Sequence, residues 1–138
     1  MNVDIGPTLL EAAHLPVPAD MQGKSFLPLL KNTKTKGREA MYYHYYENGE
    51  HSVSPHFGIR TKRYKLIRFY QRVQGWELYD LAADPHETRN CYGKPGYDKL
   101  TAQLKQQLDD LINKYDDQDA RKILDAQPKQ KLQNQPLH

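Results

Sequence analysis

Phe57-Gly-Ile-Arg-Thr-Lys-Arg-Tyr-Lys-Leu-Ile-Arg-Phe-Tyr70 holds two runs rich in aromatic and β-branched residues, separated by the polar break Thr61-Lys-Arg63. Residues of that kind favour a pleated, half-buried surface, and so short a break has room only for a tight turn. Parallel neighbours need a long crossover, so the two strands are predicted to pair antiparallel. Working outward, Met41-Tyr-Tyr-His-Tyr-Tyr46 reads as a strand before the pair, and Trp76-Glu-Leu-Tyr79 as one after it, with Gly75 marking the turn. Beyond them, Leu100, Leu104, Leu108, Leu111 and Tyr115 recur at helical spacing and form one apolar face. The predicted fold class is α+β: a four-stranded antiparallel sheet packed by a long C-terminal helix.

The flanking segments are shorter and more broken. Residues 4–14 read as a short helix with Pro7 in its first turn, Asp4 at its positive end, and Leu9, Leu10 and Ala13 on one face. His14 falls near the helix end, where glycine is preferred because the backbone turns to positive φ. Pro16 and Pro18 stop the helix, and residues 15–38 form a connector closing on the basic loop Lys31-Asn-Thr-Lys-Thr-Lys-Gly37. After the sheet, Asp84, Pro85 and Glu87 match a capping box and predict a brief helical turn. Asp116-Asp117 stands at the end of the long helix with the wrong sign for its dipole, which predicts fraying there. The predicted organisation is residues 1–38, residues 39–117, and a flexible tail over 118–138.

The chain has 138 residues, with 20 Lys and Arg against 17 Asp and Glu, six His and one Cys. No apolar run approaches the ~18 residues that a membrane span needs. A lone cysteine makes no internal disulfide, and the start of the chain has no basic segment followed by an apolar core of the signal-peptide kind. Net charge is uneven: −2 over residues 1–30, +7 over 31–75 and −2 over 76–138. A basic middle suggests an anionic ligand or neighbour. One reading is a free-standing basic module that binds nucleic acid or a sulfated glycan through Arg60, Lys62, Arg63, Lys65 and Arg68. The turn at 61–63 splits those five residues between faces, and no RNA-binding aromatic motif accompanies them.

No phosphate cradle, GxSxG, HExxH or CxxC pattern is present, so no catalytic residue is assigned. Cys91 reads as a structural thiol. The one suggestive stretch is residues 47–56, with Glu47, Glu50, His51 and His56. A metal needs three or four converging ligands in fixed geometry, which a Gly/Ser/Pro loop does not provide by itself, so no metal site is assigned. Glu47, His51 and His56 are read as a hydrogen-bonding surface for a polar ligand. His44, inside the tyrosine strand, reads as a packed histidine or as a fourth member of that surface.

Four ordered motifs resemble one family. Asn2-Val-Asp-Ile-Gly-Pro-Thr-Leu-Leu-Glu-Ala-Ala13, followed by Leu15-Pro-Val-Pro-Ala-Asp-Met-Gln-Gly-Lys-Ser-Phe-Leu-Pro-Leu-Leu30, resembles the close of the type I sulfatase catalytic domain. Gly58-Ile-Arg-Thr-Lys-Arg-Tyr-Lys-Leu-Ile67 and Glu77-Leu-Tyr-Asp-Leu-Ala-Ala-Asp-Pro-His-Glu-Thr-Arg-Asn90 resemble the same enzymes' C-terminal subdomain, in the style of bacterial N-acetylglucosamine-6-sulfatases. The resemblance implies an alkaline-phosphatase-like full enzyme that hydrolyses sulfate esters of sugars or glycosaminoglycans with formylglycine and Ca²⁺. The formylglycine arises from Cys or Ser in a C/S-x-P-x-R motif, a pattern that Cys91-Tyr-Gly-Lys-Pro95 fails. The expectation is therefore a C-terminal piece, inactive alone and without cofactor of its own. It would pack on an upstream catalytic domain and line the cleft for a sulfated carbohydrate with its 47–56 loop. The resemblance also implies a periplasmic or secreted enzyme, with no nucleic-acid partner, and the apolar residues of 1–30 predict self-association of the piece.

Overall fold

In the computed structural model, which describes residues 1–32, 34–49 and 51–126, strands form where the aromatic and β-branched runs lie. They are β1 (Ala40–Tyr45), β2 (His56–Thr61), β3 (Tyr64–Tyr70) and β4 (Gln74–Asp80). All neighbours pair antiparallel in the order β1-β2-β3-β4. The tight turn between β2 and β3 is held by Thr61, whose Oγ1 accepts the Tyr64 N–H at 2.9 Å.

The register sets which side chains share a face. Tyr42, Ile59, Leu66 and Leu78 stand in one row across the four strands, and Tyr43, Gly58, Ile67 and Glu77 in the next. The first row faces α3 (Asp98–Lys114), where Leu104, Leu108 and Ile112 bury with Phe57, Ile59, Leu66 and Leu78 into the core. The helix turns its Thr101–Leu104–Leu108–Ile112 edge inward, so Ile112 takes the core place that spacing gave to Leu111. On the other face, Gly58 is sterically required. A Cβ there would lie 2.4 Å from the Leu66 carbonyl oxygen and 2.7 Å from the Tyr43 hydroxyl.

Two expectations about where helices form are corrected. Residues 84–87 form turns, not a helix: the Asp84 carboxylate accepts from Thr88 Oγ1 at 3.0 Å and Arg89 N–H at 2.7 Å, and Glu87 turns to φ 55°. Local side-chain hydrogen bonds therefore win over the capping box there. The segment after α3 is not a tail throughout, because Gln118–Asp125 forms α4. Asp116 at φ 53° turns the chain, and Asp117 caps the new helix by accepting the Ala120 N–H at 2.9 Å. The carboxylate of the wrong sign for one helix end is thus of the right sign for the next helix start. The part of the expected tail from Gln127 lies outside the described residues.

The outer edge of β4 is satisfied by Asn90, whose Oδ1 accepts the Leu78 N–H at 3.0 Å while Leu78 C=O accepts from Cys91 N–H at 2.8 Å. That pairing gives the Asn of the fourth motif its physical reason.

Residues 1–39 form a unit of their own, and residues from Ala40 onward another. In the first, α1 (Ile5–Ala12) and α2 (Leu27–Lys31) are joined by the connector. Thr8 Oγ1 donates to Asp4 C=O at 2.6 Å and accepts the Phe26 N–H at 3.1 Å. The Asp4 carboxylate accepts the Lys24 N–H at 2.8 Å and the Arg38 Nη2 at 2.6 Å. Burial alone would raise the Asp4 pKa, and these donors bring it below the usual carboxylate range instead. Helix α1 consequently turns Pro7 and Thr8 inward and leaves Leu9 65 % exposed, which reverses the face that spacing suggested. His14 does end that helix at positive φ, 57°.

Candidate functional site

The loop between β1 and β2 begins at Tyr46, where β1 ends. Strand parity separates the two expected site residues that lie on strands, His44 and His56. His44 points to the helix-covered face with Tyr42, while Tyr45 and His56 lie on the other face with Tyr43 and Phe69.

His44 is inside a closed network. Its Nδ1 lies 2.7 Å from Asp117 Oδ2, and its Nε2 lies 2.7 Å from the Tyr70 hydroxyl. A carboxylate only accepts, so Nδ1 carries a proton toward Asp117. Tyr42 donates to the same Asp117 oxygen at 2.7 Å, and Tyr46 at 3.3 Å. The side chains of His44 and Asp117 are 3 % and 8 % exposed. Burial alone would raise the Asp117 pKa, but hydrogen bonds from Ala120 N–H, His44 and Tyr42 outweigh it and hold the carboxyl at about 2. Burial, and then the nearby charges, push the Tyr70 hydroxyl up to about 12, so it is no nucleophile at neutral pH. With both ring nitrogens engaged, His44 is the packed histidine of the two readings, and it does not join the loop surface.

The other three residues do come near one another. Glu47 accepts from the Tyr45 hydroxyl at 3.2 Å, and its carboxylate lies 3.6 Å from His51 Nε2 on an exposed surface. The His56 ring packs beside Tyr45 at 5.7 Å between centroids and beside Phe69 at 5.1 Å. Its Nδ1 donates to Ser54 C=O at 2.9 Å, which leaves Nε2 for another partner. Tyr45 is therefore the link between His56 and the Glu47–His51 pair. The β3–β4 turn supports the loop: Tyr70 N–H donates to Pro55 C=O at 3.1 Å, and Arg72 Nη2 passes 3.7 Å from where a Gly49 side chain would begin. Gly49 itself sits at φ 126°.

Sequence reading missed Asp117, Tyr46, Tyr70 and Arg72. Only Asp117 gave a signal, as a carboxylate at the wrong end of a helix dipole. Part of the basic run is taken up within the fold. Arg63 pairs with Asp80 at 2.8 Å, Lys65 with Glu87 at 2.5 Å, and Arg68 is 8 % exposed with donors to the carbonyls of Phe69 and Gly75. Three of the five residues on which the anionic-polymer reading depended are therefore engaged inside the fold. Among the described residues no group of three or more His, Cys, Asp or Glu converges to hold a metal ion, and no helix is long and apolar enough to cross a membrane.

Comparison with known proteins gives a consistent picture. The pattern of the N-sulphoglucosamine sulphohydrolase C-terminal family matches residues 1–114. The chain is 48 % identical to an N-acetylglucosamine-6-O-sulfatase of Bacteroides thetaiotaomicron, over 86 % of this chain and 22 % of that protein. It is 33 % identical to a Δ4,5-hexuronate-2-O-sulfatase of the same organism, over 93 % of this chain and 27 % of the relative. A solved structure bound to its substrate D-glucosamine-2-N,6-O-disulfate superposes with a TM-score of 0.80 at 48 % identity, over 85 % of this chain and 24 % of that one. The chain thus spans about a quarter of the length of these relatives.

Proposed function

From the premise that this chain belongs to the N-sulphoglucosamine sulphohydrolase C-terminal family, we propose that it serves as the C-terminal subdomain of an enzyme hydrolysing sulfate esters of glycosaminoglycan-type sugars. The observation that carries this reading is the 48 % identity to an N-acetylglucosamine-6-O-sulfatase over 86 % of the chain. The partners are a sulfatase catalytic domain and a sulfated carbohydrate, and the complete enzyme works in the periplasm or outside the cell. Fractionation of a tagged full-length protein tests that location.

Formylglycine and Ca²⁺ are the cofactors this reading implies for the complete enzyme. The residues present do not fit either. Cys91 is followed by Tyr-Gly-Lys-Pro, and the described residues supply no converging ligand set. No bond-making step is therefore assigned to this chain. Its part is recognition: the exposed Glu47 carboxylate and the His56 Nε2, whose ring proton sits on Nδ1, offer acceptors to sugar hydroxyls, and the exposed His51 ring offers a donor to hydroxyls or sulfate oxygens.

The test is kcat/KM of the complete enzyme on a 6-O-sulfated glucosamine and on a small aryl sulfate. Losing one hydrogen bond costs about 0.5–1.5 kcal/mol if neutral and about 1.5–3 if charge-assisted. His51→Ala and His56→Ala should then lower kcat/KM on the sugar sulfate roughly 2- to 150-fold, and on the aryl sulfate far less. Equal losses on both substrates would assign these residues to folding instead.

A further inference from the structure

Tyr46 is 58 % exposed and large. Scattered exposed aromatic residues are ordinary and call for no ligand. What sets this one apart is how the rest of the ring is held. One face stacks on the His44 ring at 3.8 Å between centroids, with the planes 29° apart. Its hydroxyl donates to Asp117 at 3.3 Å. His44, beneath it, is locked from both nitrogens by Asp117 and Tyr70. Leu9, Val53 and Val73 are similarly exposed, but no buried network of this kind stands behind them among the described residues. A ring fixed on one face and open on the other has already lost its rotational freedom, so a ligand that stacks there need not order it.

We propose that Tyr46 is a preorganised stacking platform for the apolar face of a pyranose ring, at the entrance of the loop that carries Glu47 and His51. The inference rests on the reading of the chain as part of a sugar sulfatase, and it adds to that reading a residue and a mode of recognition. Tyrosine suits the task because it presents large apolar area with a polar tip. Electrostatics decide which part of the sugar lies there. The Asp117 carboxylate is bonded to the Tyr46 hydroxyl, and the Asp119 charge acts on the same hydroxyl. Two carboxylates beside the ring repel a sulfate group and favour the uncharged, hydroxylated part of the saccharide. The sulfate is thereby oriented away from Tyr46.

The experiment is an NMR titration of the 138-residue chain with methyl β-N-acetylglucosaminide and, separately, with D-glucosamine-2-N,6-O-disulfate. The Tyr46 ring resonances should move with both sugars. Tyr46→Ala should weaken binding roughly 2- to 12-fold, the range that an aromatic stacking contact supplies. Tyr46→Phe should bind nearly as the wild type, because the ring and its support from His44 remain. In the complete enzyme, Tyr46→Ala should raise KM on sugar sulfates and leave kcat unchanged. Sugar-induced shifts that bypass Tyr46, or equal affinity in the Ala variant, would overturn the platform while leaving the sulfatase reading intact. A complete enzyme that hydrolyses no sulfate ester, with Tyr46 still responding to sugar, would overturn the sulfatase reading and keep the platform.

Discussion

Asp117 shows how much one buried carboxylate can organise. It caps α4 and accepts hydrogen bonds from Tyr42, Tyr46 and the His44 Nδ1–H, so it ties β1 to the turn between α3 and α4. Losing a helix cap costs about 1 kcal/mol, and leaving a buried polar partner unsatisfied about 1–3 more. Asp117→Ala should therefore destabilise the protein by about 2–4 kcal/mol, seen in urea titration as a lower midpoint with unchanged slope. The same residue sets an acid limit. Its folded-state pKa, about 2, lies below the ordinary value of about 3.9. The unfolded chain thus binds the proton more readily, and stability present above about pH 4 drains away as the pH falls toward 2. In Asp117→Asn the plot of Tm against pH should be flatter across that window.

Among the elements, the sheet depends on Gly58 in β2. Its neighbours across the ladder are Tyr43 and Ile67, and the Tyr43 ring crosses the space a side chain would fill. The obstructing Leu66 carbonyl is backbone and cannot swing aside. Overpacking of this kind costs about 1–3 kcal/mol, so Gly58→Ala should lower the thermal midpoint clearly. Gly75→Ala is the matched control, since nothing lies within 4 Å of its Cβ position. A Gly58→Ala loss no larger than that of Gly75→Ala would mean that β2 can shift to make room.

For the molecule as a whole, the apolar surface of residues 1–39 carries the prediction. Ile5, Leu9, Leu15 and Leu30 are 51 %, 65 %, 55 % and 70 % exposed. Apolar residues left at the surface together seek cover. On the proposed function, that cover is a catalytic domain. The 138-residue chain alone should self-associate, and Leu9→Lys with Leu30→Lys should raise its monomer fraction in sedimentation velocity. A chain that is already monomeric at high concentration, with unchanged sedimentation in the double variant, would refute this.

The sequence by itself determined the elements that rest on local periodicity. These are the four strands, their antiparallel pairing, the long helix, the positive φ at His14, and the four motifs by which the family is recognised. Each is written in consecutive residues, because the period of a strand or helix and the chemistry of a turn act over only a few positions. Residues 47–56 stood out in the same way, since their polar side chains cluster along the chain. The tertiary structure alone decided what depends on contacts between distant residues. Asp117 meets His44 across 73 positions and Tyr42 across 75, which turns a badly placed helix end into a cap and a buried anchor. Strand parity separates His44 from His56, and only that separation distinguishes a locked core histidine from one that keeps a nitrogen for a ligand. Tyr46 gained its rigid backing by the same closure. A buried hydrogen-bond network is fixed by where the chain returns in space, and that return is set by packing of the whole sheet and helix rather than by any short stretch of residues.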